Sequence, residues 1–220
     1  LGDIVEVRLH GKTDARGGGE DLIVLGTHSF DLARYLVGDP SWCMSRITVG
    51  GRRAVAADVK QPTEPVGPVL GDHIFASFGL PGKAVATYTS YATTDKSGAR
   101  YWTEIRGTKG IVQLGFGAIP PAFFSPDPTW MSGSGKVPWQ LISSDGLGKP
   151  EPLTIKDVGN WNRWIVDDLI EAVEKDRPPM SSLADGRASL EMIMAVYESH
   201  RLDRPVEFPL KTRKHPLSLL

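Results

Sequence analysis

The stretch H-I-F-A-S-F-G-L-P-G-K-A-V-A-T-Y-T-S-Y, residues 73–91, decides the fold. Residues 73–78 and 84–91 are rich in aromatic and β-branched side chains, and Pro81-Gly82 between them is a turn signal. Together they predict an antiparallel hairpin. In the second strand Ala84, Ala86, Tyr88 and Ser90 share one face, and Val85, Thr87, Thr89 and Tyr91 share the other. Neither face of that strand is charged, which predicts a sheet covered on both sides.

Upstream, D-I-V-E-V-R-L-H at residues 3–10 alternates with period two, with Val5, Val7 and Leu9 on the face expected to be buried. Gly17-Gly18-Gly19 then breaks the chain. Residues 20–37 predict one helix, with Leu22, Leu25, Leu32 and Leu36 as its apolar stripe and Glu20 and Asp21 in its first turn. Gly38-Asp39-Pro40 stops it. Further strands are expected at 45–49, 101–106 and 111–114, the last two joined around Gly107-Thr108-Lys109-Gly110.

The last third turns helical. Trp161, Trp164, Ile165, Leu169, Ala172 and Val173 make one apolar stripe, expected to be core, and Pro178-Pro179 ends that helix. Ser182 and Asp185 have capping-box spacing before a helix striped by Leu190, Ile193, Met194 and Tyr197. Pro205-Val206-Glu207-Phe208-Pro209 is expected as an edge strand, because proline is tolerated only there. Strands followed by helices predict an α+β fold with an antiparallel sheet, and residues 1–220 are read as one domain.

Composition narrows the function. Lys plus Arg is 25 and Asp plus Glu is 26, so the basic excess of a nucleic-acid binder is missing. With 40% hydrophobic and 23% charged residues the chain is globular rather than disordered. A lone cysteine, Cys43, excludes an internal disulfide and any multi-cysteine metal site, and no apolar run is long enough to span a bilayer as a helix. Its 24 glycines and 17 prolines gather between the strands, in 61–71, 115–128 and 133–152, as long ordered loops. The first strand begins without a lead-in, so an upstream segment is expected to be missing.

There is no G-x-G-x-x-G, Walker A, H-E-x-x-H or G-x-S-x-G motif. His10, His28, His73, His200 and His215 are scattered without metal-ligand spacing, so no metal is expected. His28 stands out. On a continuous helix it shares a face with Asp21, Val24, Asp31 and Tyr35, and Asp31 is placed to accept its ring proton. Gly26 lowers helix propensity and suggests a close approach by backbone or ligand. The competing reading of this stripe is a solvated helix face. Trp102, Trp130, Trp139, Trp161 and Trp164 raise the alternative of a carbohydrate platform, with Trp130 and Trp139 in loops the least core-like. Asp167 and Asp168 point about 100° apart on a helix and read as a solvated face, and Asp157 reads as an N-cap.

Several segments resemble one family in order along the chain. They are Leu1-Gly2-Asp3-Ile4-Val5, the G-G-E-D-L-I-V-L-G-T-H-S-F-D run from Gly18 to Asp31, and Glu104 through Gly110. Asp185-Gly186 with Ser189-Leu190-Glu191, then Tyr197-Glu198-Ser199 and Arg204-Pro205-Val206, complete the set. Together they resemble the C-terminal half of the Gfo/Idh/MocA oxidoreductases, which include glucose-fructose oxidoreductase and inositol dehydrogenase. The resemblance implies an open, mostly antiparallel sheet with helices on one face. It also implies an N-terminal Rossmann domain, absent from this chain, that binds NAD or NADP and contributes a catalytic lysine. It places His28 on the family's catalytic histidine, which exchanges a proton with a substrate hydroxyl on a sugar or polyol. Gly26 would lie against the nicotinamide, and Asp21, Thr27 and Asp31 would support or contact substrate. Many members carry an aspartate four residues before the histidine, where this chain has Val24. The resemblance further implies a homodimer or homotetramer paired through the sheet face. The other class of function on the same scaffold is a non-catalytic ligand-binding or oligomerisation module.

Overall fold

The computed structural model describes residues 1–94, 102–115, 122–127, 129, 137–158 and 161–220. In chain order its elements are β1 (Ile4–His10), α1 (Gly19–Val24), α2 (Gly26–Val37), β2 (Trp42–Val49), β3 (Arg52–Arg53), β4 (His73–Gly79) and β5 (Val85–Tyr91). Then come β6 (Trp102–Gly107), β7 (Gly110–Gly115), β8 (Ala122–Ser125), β9 (Gln140–Ser143) and β10 (Gly146–Leu147). Helices α3 (Ile155–Val158), α4 (Trp161–Glu174) and α5 (Leu183–Leu202) and strand β11 (Val206–Glu207) follow.

Among the described residues eleven strands form one open sheet, ordered β10-β9-β8-β7-β6-β1-β5-β4-β2-β11, with β3 beside β2. The hairpin read from residues 73–91 pairs His73 with Tyr91 and Gly79 with Val85. All described pairings are antiparallel except β1 with β5, which run parallel in the middle of the sheet. That exception follows from the helical excursion of α1 and α2, which carries the chain off the sheet before it returns to build β2, β4 and β5.

One sheet face is buried. Val7 and Leu9 of β1, Ile74, Ala76 and Phe78 of β4, and Ala86 and Tyr88 of β5 all point under α1, α2 and α5. Phe30 of α2 meets Phe78 and Tyr88 at ring distances of 5.1 Å each, in the edge-on and tilted geometries aromatic pairs prefer. Strand β11 covers Trp42 and Cys43 and β3 covers Thr48 and Val49, which leaves the middle of that edge of β2 open. Helix α5 closes it with side chains. Ser45 N donates to Ser199 Oγ at 3.0 Å and Ile47 N to His200 Nδ1 at 3.2 Å, so neither buried N–H is orphaned. His200 spends its other nitrogen on Ala54 O at 3.0 Å.

The other face is open and mixed rather than uncharged throughout. On β5 Val85, Thr87 and Thr89 are half-buried as expected, but the neighbouring β1 and β6 put Glu6, Arg8, Glu104 and Arg106 beside them. Glu104, 3% exposed, accepts from Arg106 at 2.5 Å and from Gln113 at 2.8 Å. Toward the β2 edge the face exposes Met44, Phe75 and Tyr91, with Arg46 opposite Phe75 and His73 opposite Tyr91.

Two expectations are corrected. The helix over 20–37 is two helices with a break at Leu25, whose φ/ψ of −105°/−22° departs from helical values. Its buried side is Leu22, Gly26, Ser29, Phe30 and Ala33, while Leu36 is exposed. Helix α4 is not core. Trp164, Ile165 and Val173 are 53%, 68% and 76% exposed, and only Ala172 of the expected stripe is buried. The amphipathic pattern is real, but α4 packs only sparsely on this chain. The side chain of Trp161 lies outside the described residues. The capping box at α5 is as expected: Asp185 N donates to Ser182 Oγ, and Ser182 N to Asp185 Oδ2 at 2.9 Å.

Candidate functional site

The site region lies where the C-terminal end of β1 meets the start of α1. Three glycines make that crossing sterically feasible. A Cβ on Gly17 would sit 2.0 Å from Tyr91 O, and one on Gly19 would sit 2.4 Å from Leu70 O. Gly18 adopts φ +82° with Gly71 O 2.7 Å from where its Cβ would be. The crossing is sealed by Gly18 N to Ser90 Oγ at 2.9 Å and Gly19 N to Gly71 O at 3.1 Å.

Asp21 follows on α1 and is 2% exposed. Its Oδ2 accepts from Ser90 Oγ at 2.6 Å, Lys12 N at 2.9 Å and Tyr88 Oη at 3.1 Å. Its Oδ1 is buried with no partner among the described residues. Burial pushes the Asp21 carboxyl above its ordinary range, and the bonds from Ser90, Tyr88 and Lys12 N–H pull only partly the other way. Tyr88 is fully buried and its phenol is raised, by burial first and by the Asp21 charge second. Gly11 is the residue the sequence reading missed here. A Cβ there would lie 2.1 Å from Asp21 Oδ2, so only glycine lets the carboxylate reach the end of β1. A lone glycine directly after a strand was the available signal.

Glu20 is buried beside Asp21 and is bound by Thr63 through its hydroxyl and, at 3.2 Å, its N–H. Burial alone would raise the Glu20 carboxyl, but the Thr63 and Glu64 donors outweigh it and hold it low. Lys12, Arg16, Asp21, Val24 and Glu64 border a hollow of about 10 Å³, the size of one water.

The break at Leu25 turns α2 relative to α1. Consequently Asp21 is sealed inside while His28 is exposed. The stripe read as Asp21, Val24, His28, Asp31 and Tyr35 is therefore not a single face. His28 makes no side-chain hydrogen bond among the described residues, and its expected bond to Asp31 is not formed. Asp31 instead accepts from Ser189 Oγ at 3.1 Å and from Arg34 at 3.4 Å. Arg34 also holds Asp39 at 2.6 Å and Asp185 at 3.4 Å, so Asp31 belongs to the joint between α2 and α5. A second hollow, of about 150 Å³, lies among Arg34, Tyr35, Asp39, Met180 and Asp185. Along the helices His28 falls between the residues that border the two hollows.

Thr27 Oγ1 donates back to Val24 O at 3.0 Å, bridging the helix break. Gly26 departs from expectation because it faces the core. A Cβ there would meet Leu22, Phe30 and the Tyr88 hydroxyl at 3.5–3.7 Å, ordinary contact distances. Gly26→Ala is therefore expected to be stabilising by roughly 0.4–1 kcal/mol, read as a higher melting temperature. A loss of stability would mean that the glycine is required there.

Among the tryptophans, Trp102 stacks on His10 with ring centroids 5.2 Å apart and Trp139 is half-buried; Trp130 lies outside the described residues. Asp167 and Asp168 pair separately, with Arg163 at 3.4 Å and with Arg177 at 2.8 Å. Asp157 is not an N-cap. It sits three residues after Thr154 and accepts its N–H at 2.7 Å, so Thr154 occupies the cap position. Among the described residues no group of three or more His, Cys, Asp or Glu side chains is placed to hold a metal ion.

The model of an oxidoreductase family, C-terminal alpha/beta domain, matches residues 2–208. No curated protein sequence matches the chain. Levoglucosan dehydrogenase, solved with NADH and L-sorbose, superposes with a TM-score of 0.69 at 20% identity, over 95% of this chain and 59% of that one. An oxidoreductase domain protein from Kribbella flavida gives 0.68 at 19% identity, over 96% and 60%. The WlbA dehydrogenase from Bordetella pertussis, solved with NADH and UDP-GlcNAcA, gives 0.59 at 18% identity, over 96% and 57%. At these identities the likeness establishes the fold, and the chain spans about three-fifths of the length of the structures it matches.

Proposed function

Because the chain belongs to the Gfo/Idh/MocA oxidoreductase family, as its C-terminal α/β domain, we propose that it is the substrate-side domain of an NAD- or NADP-dependent dehydrogenase. Its substrate is a hydroxyl or carbonyl compound of the sugar or polyol class. A Rossmann domain outside this sequence holds the cofactor. The observation that carries this reading is His28, an exposed imidazole whose side chain has no hydrogen-bond partner among the described residues, on the outer side of α2 at the family's histidine position.

The residues present fit a cofactor that is gripped elsewhere. The sequence has no glycine-rich phosphate loop, and Gly26 is turned to the core, so this chain offers the nicotinamide only the outer surface of α2. When bound, the nicotinamide supplies the hydride acceptor. His28 takes the proton of the substrate hydroxyl as the carbonyl forms and returns it in the reverse direction. Thr27 lies beside it. Asp21 does not reach the outer surface; it anchors β1, β5 and α1 beneath it and acts as a positioning residue. Two of the structures superposed above were solved with NADH together with L-sorbose or UDP-GlcNAcA, which supports the substrate class.

The test compares the chain alone with the chain joined to its nucleotide-binding domain. Alone it is expected to leave NADH fluorescence unchanged; joined, it is expected to reduce NAD or NADP with a sugar or polyol. Micromolar NADH binding by the chain alone would sink the division of labour. Val24 at the family's aspartate position and the missing His28–Asp31 bond favour the second reading, a non-catalytic ligand-binding or oligomerisation module. Sugar binding without turnover in the joined protein selects it.

Assembly belongs to the same proposal. The open sheet face, with Met44, Phe75 and Tyr91 exposed on adjacent strands, pairs with a second copy into a homodimer or homotetramer. Sedimentation is expected to show the oligomer, and Phe75→Glu is expected to give monomer with an unchanged melting temperature, since Phe75 is half exposed. A wild-type chain that sediments as monomer at micromolar concentration contradicts it.

A further inference from the structure

We infer that the groove between α5 and the C-terminal segment after β11 is a second ligand site, built for a small organic acid with an apolar body. The groove encloses about 270 Å³. A dry cavity of about 150 Å³ holds benzene, so this one suits a body of one to two rings or the equivalent aliphatic chain. It is separate from the His28 region. Helix α5 gives Asp185 and Ser189 to the joint with α2, and gives Arg187, Leu190 and Met194 to the groove.

The walls are pre-formed. Glu191 Oε1 accepts the Leu210 N–H at 2.8 Å and Arg213 at 3.4 Å, which ties the segment to the helix at one end. At the other end His215 packs against Tyr197 with ring centroids 6.0 Å apart, and its Nδ1 accepts from Leu217 N at 3.2 Å. That bond leaves the neutral ring's proton on Nε2, a donor with no protein partner among the described residues. The residues from Leu210 to Pro216 that form this wall lie beyond residue 208, where the family match ends.

Charge and polarity select the ligand. Leu190, Met194, Leu210 and Pro216 supply an apolar lining. Arg187 and Lys214 border it and have no acidic partner among the described residues, and Arg213 shares the single acid, Glu191, with a backbone N–H. A neutral apolar molecule would gain nothing from these rim cations, and an inorganic anion would leave the apolar lining wet. A carboxylate on an apolar body satisfies both.

Methyl-resolved NMR titrations of the whole chain with naphthoate, naphthalenemethanol and inorganic phosphate test the assignment. Naphthoate is expected to shift the Leu190, Met194 and Leu210 methyls and to bind about tenfold or more tightly than either the alcohol or phosphate. The double variant Arg187→Gln/Lys214→Gln, at exposed positions without partners, is expected to weaken naphthoate about tenfold without lowering the melting temperature. Met194→Trp, which fills the groove, is expected to abolish binding. Equal binding of the alcohol, affinity unchanged in the double variant, or shifts confined to the exposed methyls of α4 would each overturn the proposal.

Discussion

His28→Ala, in the chain joined to its nucleotide-binding domain, is expected to lower kcat by about 10²–10⁴-fold, the usual contribution of a positioned general acid–base. Stability is expected to stay within about 0.5 kcal/mol of wild type, because the side chain is exposed and has no hydrogen-bond partner among the described residues. Cofactor affinity is expected to change little, since under the proposed function another domain grips the cofactor. Loss of turnover with stability and cofactor binding intact separates a chemical role from a structural one. A variant with wild-type turnover would refute the acid–base assignment, whatever the protein binds.

The largest expected stability effect is at Asp21. Removing its carboxylate takes the acceptor from three donors at once, the buried Tyr88 Oη, the part-buried Lys12 N, and Ser90 Oγ, which keeps only a 3.4 Å contact to Lys12 O. Asp21→Ala is expected to cost about 3–5 kcal/mol, at roughly 1–3 kcal/mol for each unsatisfied group with partial relaxation. In a chain of this size that lowers Tm by roughly 10 °C. Asp21→Asn keeps an acceptor for the three donors and is expected to lose far less. Its deficit also depends on pH with a defined sign. Burial raises the folded carboxyl above its unfolded value of 3.8. The group's contribution is therefore fully present below that unfolded value and is lost as pH rises through the folded one. The stability gap between wild type and Asp21→Asn should narrow as pH rises from about 4 toward neutrality. Thermal melts at the two pH values check this, and a gap that widens with pH, or an alanine variant within about 1 kcal/mol of wild type, contradicts it.

The parts legible from local pattern were those whose partners lie close in sequence. The hairpin over 73–91 announced itself by Pro81-Gly82 between two β-rich runs. The Ser182–Asp185 box needed only a three-residue spacing, and the proline-flanked strand at 206–207 could pair on one side only. The family was legible from the ordered series of segments around Gly18–Asp31, Glu104–Gly110 and Asp185–Val206, which are specific together, and the exposed position of His28 was compatible with the helix stripe read there. What stayed hidden depended on contacts across the chain. Leu25 carries no helix-breaking signal, yet the break there sets His28 outside and Asp21 inside. Asp31 looked free to orient the imidazole, but Ser189, 158 residues on, had already engaged it.

Periodicity and turn chemistry, then, were sufficient for the α+β order, the cap of α5 and the edge strand, since each depends on the backbone preferences of a few neighbouring residues. Only the tertiary structure decided which apolar stripes became core. Helix α2 found the sheet and α5 to lie on, though with Phe30 and Ala33 inward and Leu36 outward, whereas the regular stripe of α4 found no comparable surface among the described residues, because burial requires a partner surface and no local pattern specifies one. It likewise decided that Gly26 faces inward and that Gly11 makes room for a buried carboxylate, both set by what packs opposite.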